Sequence, residues 1–309
     1  MNLSLIIPCY NEEDVINLFY DEVTSVLKSY DNAYELIFID DGSKDKTMKK
    51  IKSMAEKDTS VKYISLSRNF GKEAAMLAGM KFAKGSYIGI LDADLQHPPE
   101  IIPEMVAALK SGEYDIAAAR RINRTGESPI KSIFSRLFYK VINKLADVDI
   151  KEGAQDFRIM KKKVVQSIID MPEYHRFSKG IFSWVGFKTK WFEHENVERP
   201  KGISKWSFRN LVKYAINGII AFSIVPLRLA SFFGVVVSLI GFAQVIYLVT
   251  DFLFFSSGEG SGFASIISAI FLVGGTILIC IGITGEYVAR IYVEVKNRPI
   301  FIIDETNIL

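Results

Sequence analysis

Two stretches of this sequence carry no charged residue at all, one between Arg228 and Asp251 and one between Glu259 and Glu286. Each is longer than the roughly 20 residues that cross a bilayer as a helix. Apolar runs of that length have to be buried in protein or in lipid, and two of them rarely occur inside one soluble domain. We therefore read membrane helices over residues 229–254 and 263–285. The rest of the chain is different in kind. Residues 1–228 hold 35 of the 38 Lys and Arg and 29 of the 35 Asp and Glu, the profile of a soluble domain with a mildly basic surface.

Composition narrows the class further. With 49% hydrophobic residues, 21 Gly and 9 Pro among 309 positions, the chain is neither disordered nor collagen-like. Only Cys9 and Cys280 are present, which excludes a disulfide framework and a cysteine-based metal site. The first eight residues lack a charged leader and a small-residue cleavage site and read as a strand, so the large domain is expected on the cytoplasmic side. Charge asymmetry agrees: the loop joining the two spans has no Lys or Arg. Arg228 precedes the first span, and Arg290, Lys296 and Arg298 follow the second. By the positive-inside rule both chain ends are cytoplasmic.

In the first 120 residues, short β-rich runs at 3–8, 34–40, 61–65, 87–91 and 115–119 alternate with stretches long enough to be crossover helices. That alternation predicts an α/β domain with a mostly parallel sheet. Ligands of such sheets sit beyond the carboxyl ends of the strands, and the polar clusters fall there. The first strand ends in Pro8-Cys9-Tyr10-Asn11-Glu12, the second in Asp40-Asp41-Gly42-Ser43, the third in Arg68-Asn69-Phe70-Gly71 and the fourth in Asp92-Ala93-Asp94-Leu95-Gln96.

Residues 129–148 and 206–220 place apolar side chains at helical spacing with Lys and Arg between them. Basic amphipathic helices of this kind lie at membrane surfaces; ordinary core-facing helices are the alternative. The run Lys161-Lys162-Lys163 reads as solvated, or as touching lipid headgroups.

Asp92 and Asp94 stand two residues apart at a strand end, where both can reach one hard divalent ion, Mg²⁺ or Mn²⁺, bridged to a diphosphate. The pattern is weak in itself. With 16 Asp in the chain, about one Asp-x-Asp arises by chance, and Asp147-Val148-Asp149 is a second instance that follows a predicted helix. The context favours the first pair: an apolar strand leads into it, Gln96 can add an oxygen ligand, and Pro98-Pro99 fixes the start of the next helix. For His97, capping or local hydrogen bonding is as fitting as catalysis.

These clusters, together with Gln155-Asp156-Phe157-Arg158 and Arg199-Pro200-Lys201-Gly202-Ile203-Ser204-Lys205, resemble the motif series of family 2 glycosyltransferases. More narrowly they resemble the polyprenyl-phosphate enzymes, dolichyl-phosphate mannose synthase and the bactoprenol glucosyltransferases, over the whole chain. The resemblance implies a GT-A nucleotide-sugar-binding domain over residues 1–205, a membrane-interface segment over 206–228, two transmembrane helices over 229–288 and a cytoplasmic tail over 289–309. It implies that Pro8, Tyr10, Glu12, Asp40, Asp41, Arg68, Asp92 and Ala93 hold the nucleotide sugar, that Asp94 and Gln96 hold Mg²⁺ or Mn²⁺, and that Asp156, with Asp94, is catalytic. Asp92 would lie near the ribose or behind the metal ligands. Asp40 and Asp41 have a simple Asx turn as their alternative, and Asp156 a helix cap or a salt bridge to Arg158.

Arg120, Arg199 and Lys205 are the expected phosphate ligands, since Arg gives bidentate charge-assisted bonds and Lys a point charge. The expected reaction is inverting transfer from a nucleoside-diphosphate sugar, UDP-glucose or a related UDP-sugar first, to undecaprenyl phosphate at the cytoplasmic face of a bacterial inner membrane. A lipid monophosphate is already mostly a dianion at neutral pH, so a general base gains little; Asp156 acts as base, acceptor-orienting group or metal ligand. The partners implied are the nucleotide sugar, the lipid phosphate, the bilayer and further copies of the chain in a tetramer, with no nucleic acid. Two rivals stand beside this reading. A processive polysaccharide synthase would carry a Gln-x-x-Arg-Trp signature and more spans, and an inactive scaffold or flippase partner would have no need to keep Asp92, Asp94, Gln96 and Asp156.

Overall fold

A computed structural model describes residues 2–28, 33–121, 139–140, 142–144, 148, 150–171, 173–194, 218–254 and 262–308. The amphipathic segments 129–148 and 206–220, Arg199, Lys205 and Asp147 and Asp149 lie wholly or largely outside these residues. The chain divides into two units, Met1–Ala221 with Pro299–Leu309, and Phe222–Arg298.

The first unit is built on five strands that the alternation of apolar runs predicts: β1 (Leu3–Cys9), β2 (Tyr34–Asp40), β3 (Val61–Leu66), β4 (Tyr87–Ile90) and β5 (Ile116–Arg121). Three more join them: β6 (Ala154–Lys161), β7 (Thr189–His194) and β8 (Ile303–Thr306). They form one sheet in the order β7-β5-β6-β4-β1-β2-β3-β8. Pairing is parallel among β4, β1, β2 and β3 and between β5 and β7. It is antiparallel where β6 enters between β4 and β5, and where β8 closes the β3 edge. The sheet is therefore mixed, with six strands running one way, as the alternation predicts, and β6 and β8 running against them. Because β6 runs against its neighbours, its first residues lie where β4 and β5 end: Arg120 pairs with Ala154, and Ile90 with Arg158. That reversal brings Gln155 and Asp156 to the ligand edge.

Helices cover the faces for plain reasons of pattern. In α1 (Ile16–Lys28) the buried Ile16, Phe19, Val23, Thr24 and Leu27 make one stripe, and Phe19 meets Phe38 of β2 edge to face at 6.3 Å. Helix α2 (Thr47–Ala55) buries Thr47, Ile51 and Met54, and α4 (Ile102–Lys110) buries Ile102, Met105, Val106 and Leu109. Helix α3 (Lys72–Phe82) is buried from Ala74 through Met80 on every side, which its small Ala and Gly residues permit. The central strand β2 is buried from Glu35 to Asp40, as a strand covered on both faces requires. Of its two buried carboxylates, Glu35 accepts from Ser4 Oγ at 2.5 Å and from the Lys84 N–H at 2.9 Å, so it is paired rather than stranded; the other, Asp40, ends the strand at the ligand edge. Helices α5 (Lys162–Ile169) and α6 (Ser178–Trp184) follow β6.

The C-terminal residues, expected as a separate tail, are part of this sheet. Beyond the β8 ladder, Asn307 accepts from the Tyr63 N–H at 2.7 Å and donates to the Val61 carbonyl at 3.3 Å. Lys52 pairs with Glu305 at 2.5 Å.

The second unit holds α7 (Val225–Phe254) and α8 (Gly262–Val295). Their spans Val225–Asp251 and Ala269–Val295 have mean hydropathies of 2.3 and 1.9, and neither is buried in protein. A core helix of a soluble domain would be covered. The hydroxyls of Ser238, Thr250, Thr276 and Thr284 donate to the carbonyl four residues earlier, at 2.8–3.0 Å. These four hydroxyls are thus satisfied within their own helices.

Candidate active site

The site is the row of loops beyond β1, β2, β3 and β4, with the start of β6. Its first half is laced by hydrogen bonds between loops. The Asn11 N–H donates to Ser43 Oγ (2.9 Å), the Lys44 N–H to Asn11 Oδ1 (2.8 Å) and the Glu12 N–H to Thr47 Oγ1 (2.8 Å). Asn11 adopts a left-handed φ of 53°, a conformation its short amide side chain tolerates. These bonds hold Pro8, Tyr10 and Glu12, all half-buried, against the end of β2.

Asp40 and Asp41 have separate tasks. Asp41 accepts the Phe70 N–H at 2.7 Å on one oxygen and the Gly71 N–H at 2.9 Å on the other. It builds the loop between β3 and α3. Gly42 makes the approach of that loop possible: with φ at 69°, a Cβ there would stand 2.6 Å from the Arg68 carbonyl carbon. Asp40 accepts from the Ser43 N–H at 3.3 Å through Oδ2, while its buried Oδ1 has no hydrogen-bond partner among the described residues. Burial pushes both carboxyls up, in Asp41 against the two backbone N–H bonds that favour its charge. Arg68 is exposed, its guanidinium 4.1 Å from the Phe70 ring centroid. Burial and the Asp40 charge also push the Cys9 thiol well up.

The second half is held by charge. Lys72, the first residue of α3, places Nζ 2.7 Å from Asp92 Oδ1 and 2.6 Å from Asp156 Oδ2. Burial alone would push both carboxyls up, but the Lys72 ammonium outweighs it and holds each below the usual carboxylate range. Burial likewise opposes the charge on Lys72, and Asp156 and Asp92 overcome it, so the ammonium titrates above its ordinary value. His97 is buried with Nε2 3.8 Å from Asp92. Its Nδ1 has no partner among the described residues, and its ring lies 5.6 Å from those of Phe157 and His194. His194 Nε2 is 2.7 Å from Gln155 Oε1. Gln155 precedes Asp156 on β6, so a ring of polar groups links Asp156, Lys72, Asp92, His97, His194 and Gln155.

The turn after Asp92 is tight. Leu95 has φ of 55°, and the Gln96 N–H donates to Asp94 Oδ1 at 3.2 Å. Ala93 beside them is buried. Among the described residues no three His, Cys, Asp or Glu side chains form a metal-holding group. A carboxylate and an amide oxygen from one turn nevertheless suit Mg²⁺, which ordinarily takes one or two carboxylates and completes its shell with water and substrate phosphates.

Around this centre, Arg120 donates through Nε to the Glu152 carbonyl at 3.0 Å and lies 3.8 Å from Glu193. Lys161 and Lys163, read as solvated, both pair with Asp115, at 3.0 and 2.9 Å. Arg158 packs its guanidinium 3.6 Å from the Phe182 ring centroid and donates to the Gln155 carbonyl, so it is not the salt-bridge partner of Asp156. Glu73 accepts the Ser178 N–H and hydroxyl at the head of α6. Burial, with Asp156 nearby, pushes its carboxyl up to about 7.

Lys72, Glu73 and His194 are site residues that sequence reasoning did not single out. Lys72 directly follows the Arg68-Asn69-Phe70-Gly71 cluster, but the carboxylates it bridges lie 20 and 84 positions away. No sequence signal marks His194.

The glycosyl transferase family 2 model matches residues 4–169. A Bacillus subtilis (strain 168) protein named as a glycosyltransferase is 42% identical over 99% of this chain and 92% of its own. The SfII prophage-derived bactoprenol glucosyl transferase of Shigella flexneri is 40% identical over 99% of both chains. Among solved structures, glucosyl-3-phosphoglycerate synthase from Mycobacterium tuberculosis, in complex with Mn²⁺, UDP-glucose and phosphoglyceric acid, is 16% identical. That likeness has a TM-score of 0.49 and covers 71% of this chain and 77% of the other.

Proposed function

The chain belongs to glycosyl transferase family 2, with a GT-A type α/β domain, and on that premise we propose that it transfers glucose from UDP-glucose to undecaprenyl phosphate, with inversion, at the cytoplasmic face of a bacterial membrane. The observation that carries this reading is the 40% identity to a bactoprenol glucosyl transferase over 99% of both chains, the two apolar helices included. A glycosyltransferase that shared only the donor site would match the first unit alone.

The geometry supports a division of labour. Pro8, Tyr10, Glu12, Asp40 and Arg68 surround the nucleoside. The unpartnered Asp40 Oδ1 supports this, because a buried carboxylate oxygen is costly unless a donor reaches it, and a base N–H or ribose hydroxyl is such a donor. Asp41 shapes the loop that carries Arg68. Asp94 and Gln96 would hold Mg²⁺ or Mn²⁺, which when bound neutralises charge on the departing diphosphate. Asp92 stands between these residues and Lys72. Arg120, with Arg199 and Lys205, binds phosphate. Asp156 stays ionised beside Lys72 and so orients the acceptor rather than taking a proton from it. The acceptor needs no base, since a phosphate monoester with a second pKa near 6 is mostly dianionic at neutral pH.

The reading is tested by incubating purified full-length protein with UDP-glucose, competing UDP- and GDP-sugars, undecaprenyl phosphate and Mg²⁺ or Mn²⁺, and weighing the glycolipid by mass spectrometry. A hexosyl undecaprenyl phosphate formed from UDP-glucose, and lost with chelator, is the expected result. No product from any donor would favour the inactive scaffold, and a polymer the processive synthase. Orientation has its own check: in a background lacking Cys9 and Cys280, Lys296→Cys should react with an impermeant thiol reagent only after lysis.

A further inference from the structure

Resting on the reading above, we propose that Lys72 is the cation that receives the attacking phosphate of the lipid acceptor, its ammonium shared between Asp156 on the acceptor side and Asp92 on the donor side.

Lys72 is placed rigidly. The two residues before it, Phe70 and Gly71, have their N–H groups fixed by the buried carboxylate of Asp41, and its own Cα begins α3. At the other end of the side chain, an ammonium has three N–H donors. Among the described residues only Asp92 and Asp156 are seen to engage it, and one donor to each leaves a third for an incoming anion. The Lys72 side chain is also the most open of the three, 40% exposed against 24% for Asp92 and 19% for Asp156. Of the three groups the cation is therefore the most open to an anion from solvent.

The chemistry requires such a group. A phosphate oxygen of the acceptor forms a bond to the anomeric carbon, and the bond from that carbon to the donor's diphosphate oxygen breaks, its electron pair leaving with the nucleoside diphosphate. No proton moves. The acceptor goes from a dianion to a phosphodiester monoanion while the leaving group gains one negative charge. A dianion brought up to Asp156 and Asp92 without a counter-charge would be repelled by both. Among the described cations near Asp156, Arg158 is turned to the Phe182 ring and the Gln155 carbonyl, and Lys179, whose charge also acts on Asp156, lies 3.4 Å from Tyr139 Oη. Lys72 touches carboxylates on both sides of the transfer and lies where the negative charge passes from acceptor to leaving group.

The test compares wild type, Lys72→Met and Lys72→Arg as full-length protein in detergent, reading UDP affinity by calorimetry, the KM for undecaprenyl phosphate by initial rates, and calorimetric binding of citronellyl phosphate, a short isoprenyl phosphate, with UDP saturating. Lys72→Met should raise the acceptor KM about tenfold or more and weaken citronellyl phosphate to match, with UDP affinity within about twofold of wild type. Lys72→Arg, which keeps the charge and changes its shape, should raise the acceptor KM by about threefold. If the unpaired carboxylates prevent Lys72→Met from folding, Lys72→Arg decides the matter by the same two affinities. An unchanged acceptor KM, or a loss of UDP affinity as steep as the loss of acceptor, overturns the assignment and makes Lys72 a donor-side or purely structural bridge. Should wild type form no glycolipid, the proposed reaction fails by itself, and citronellyl phosphate binding still judges Lys72: equal binding in wild type and Lys72→Met rejects it, weaker binding in the variant supports it.

Discussion

The two halves of the site handle the same residue type in opposite ways. At the end of β2, Asp40 and Asp41 are buried among backbone N–H groups, and burial pushes their carboxyls up. Beyond β4 and at the start of β6, Asp92 and Asp156 share an ammonium that pushes theirs down. The first arrangement suits recognition of a nucleoside, where hydrogen-bond geometry discriminates and little charge changes. The second suits a place where negative charge is gained and lost, since a fixed cation between two anions needs little reorganisation when charge shifts.

The largest effect that can break this contrast is expected at Asp156. Asp156→Asn should lower turnover by about a thousandfold while UDP affinity stays within about twofold; a parallel fall in UDP affinity, read by calorimetry, would move Asp156 to the donor half. The contrast inside the first half is smaller. Asp41→Ala leaves two N–H groups of the 70–71 loop without acceptors and should cost about 2 kcal/mol of stability. Asp40→Asn should leave thermal stability unchanged or improved, because it removes a buried charge with one unpartnered oxygen, yet weaken UDP about tenfold. Equal melting temperatures for the two variants would erase the distinction between them.

Glu73 sharpens the comparison through pH. Its carboxyl, pushed up to about 7 by burial and the Asp156 charge against an ordinary 4.5, holds its proton more tightly folded than unfolded. Its contribution to stability is whole below about 4.5 and is lost as pH rises through about 7. Asp92 and Asp156, pushed down, contribute stability that is lost only in acid, below their ordinary value of 3.8. Glu73→Gln should therefore flatten the stability profile between pH 5 and 8 by about 1–2 kcal/mol and leave the acid limb untouched. An unaltered profile in thermal melts would show that Glu73 is ionised throughout. The smallest effect lies far from both halves: Asn307→Ala, which removes the clasp on β3, should cost about 1 kcal/mol without changing turnover.

How much of this was legible in the sequence follows from how local each signal is. The strands β1 to β5 announce themselves as short apolar runs closed by polar clusters, and the two long helices by length and lack of charge. Strand β6 does not: Gln155, Asp156, Arg158 and Lys161 dilute its apolar pattern, and its antiparallel seat between β4 and β5 depends on partners far away in the chain. Strand β8 is four residues, three of them polar, and only its pairing with β3 makes it a strand. Motif order points to Asp94, Gln96 and Asp156, and the structure sets Asp94 and Gln96 in the turn after β4 and Asp156 at the start of β6. Asp41 was read as a nucleoside contact, whereas both its oxygens are taken by a loop 29 and 30 residues on. His97, for which capping or local hydrogen bonding stands level with catalysis, is buried beside Asp92, and nothing local in the sequence predicts that depth.

The return of the chain to its sheet has a consequence in the order of synthesis. Strand β8 follows α8 in the chain, so while both apolar helices are being made the first unit exists with β3 as an open edge, and open edges invite pairing with other chains. The sheet is closed only after the helical hairpin is complete. Timing is thus written into one four-residue strand: β3 is capped only in molecules in which both long helices have already been made.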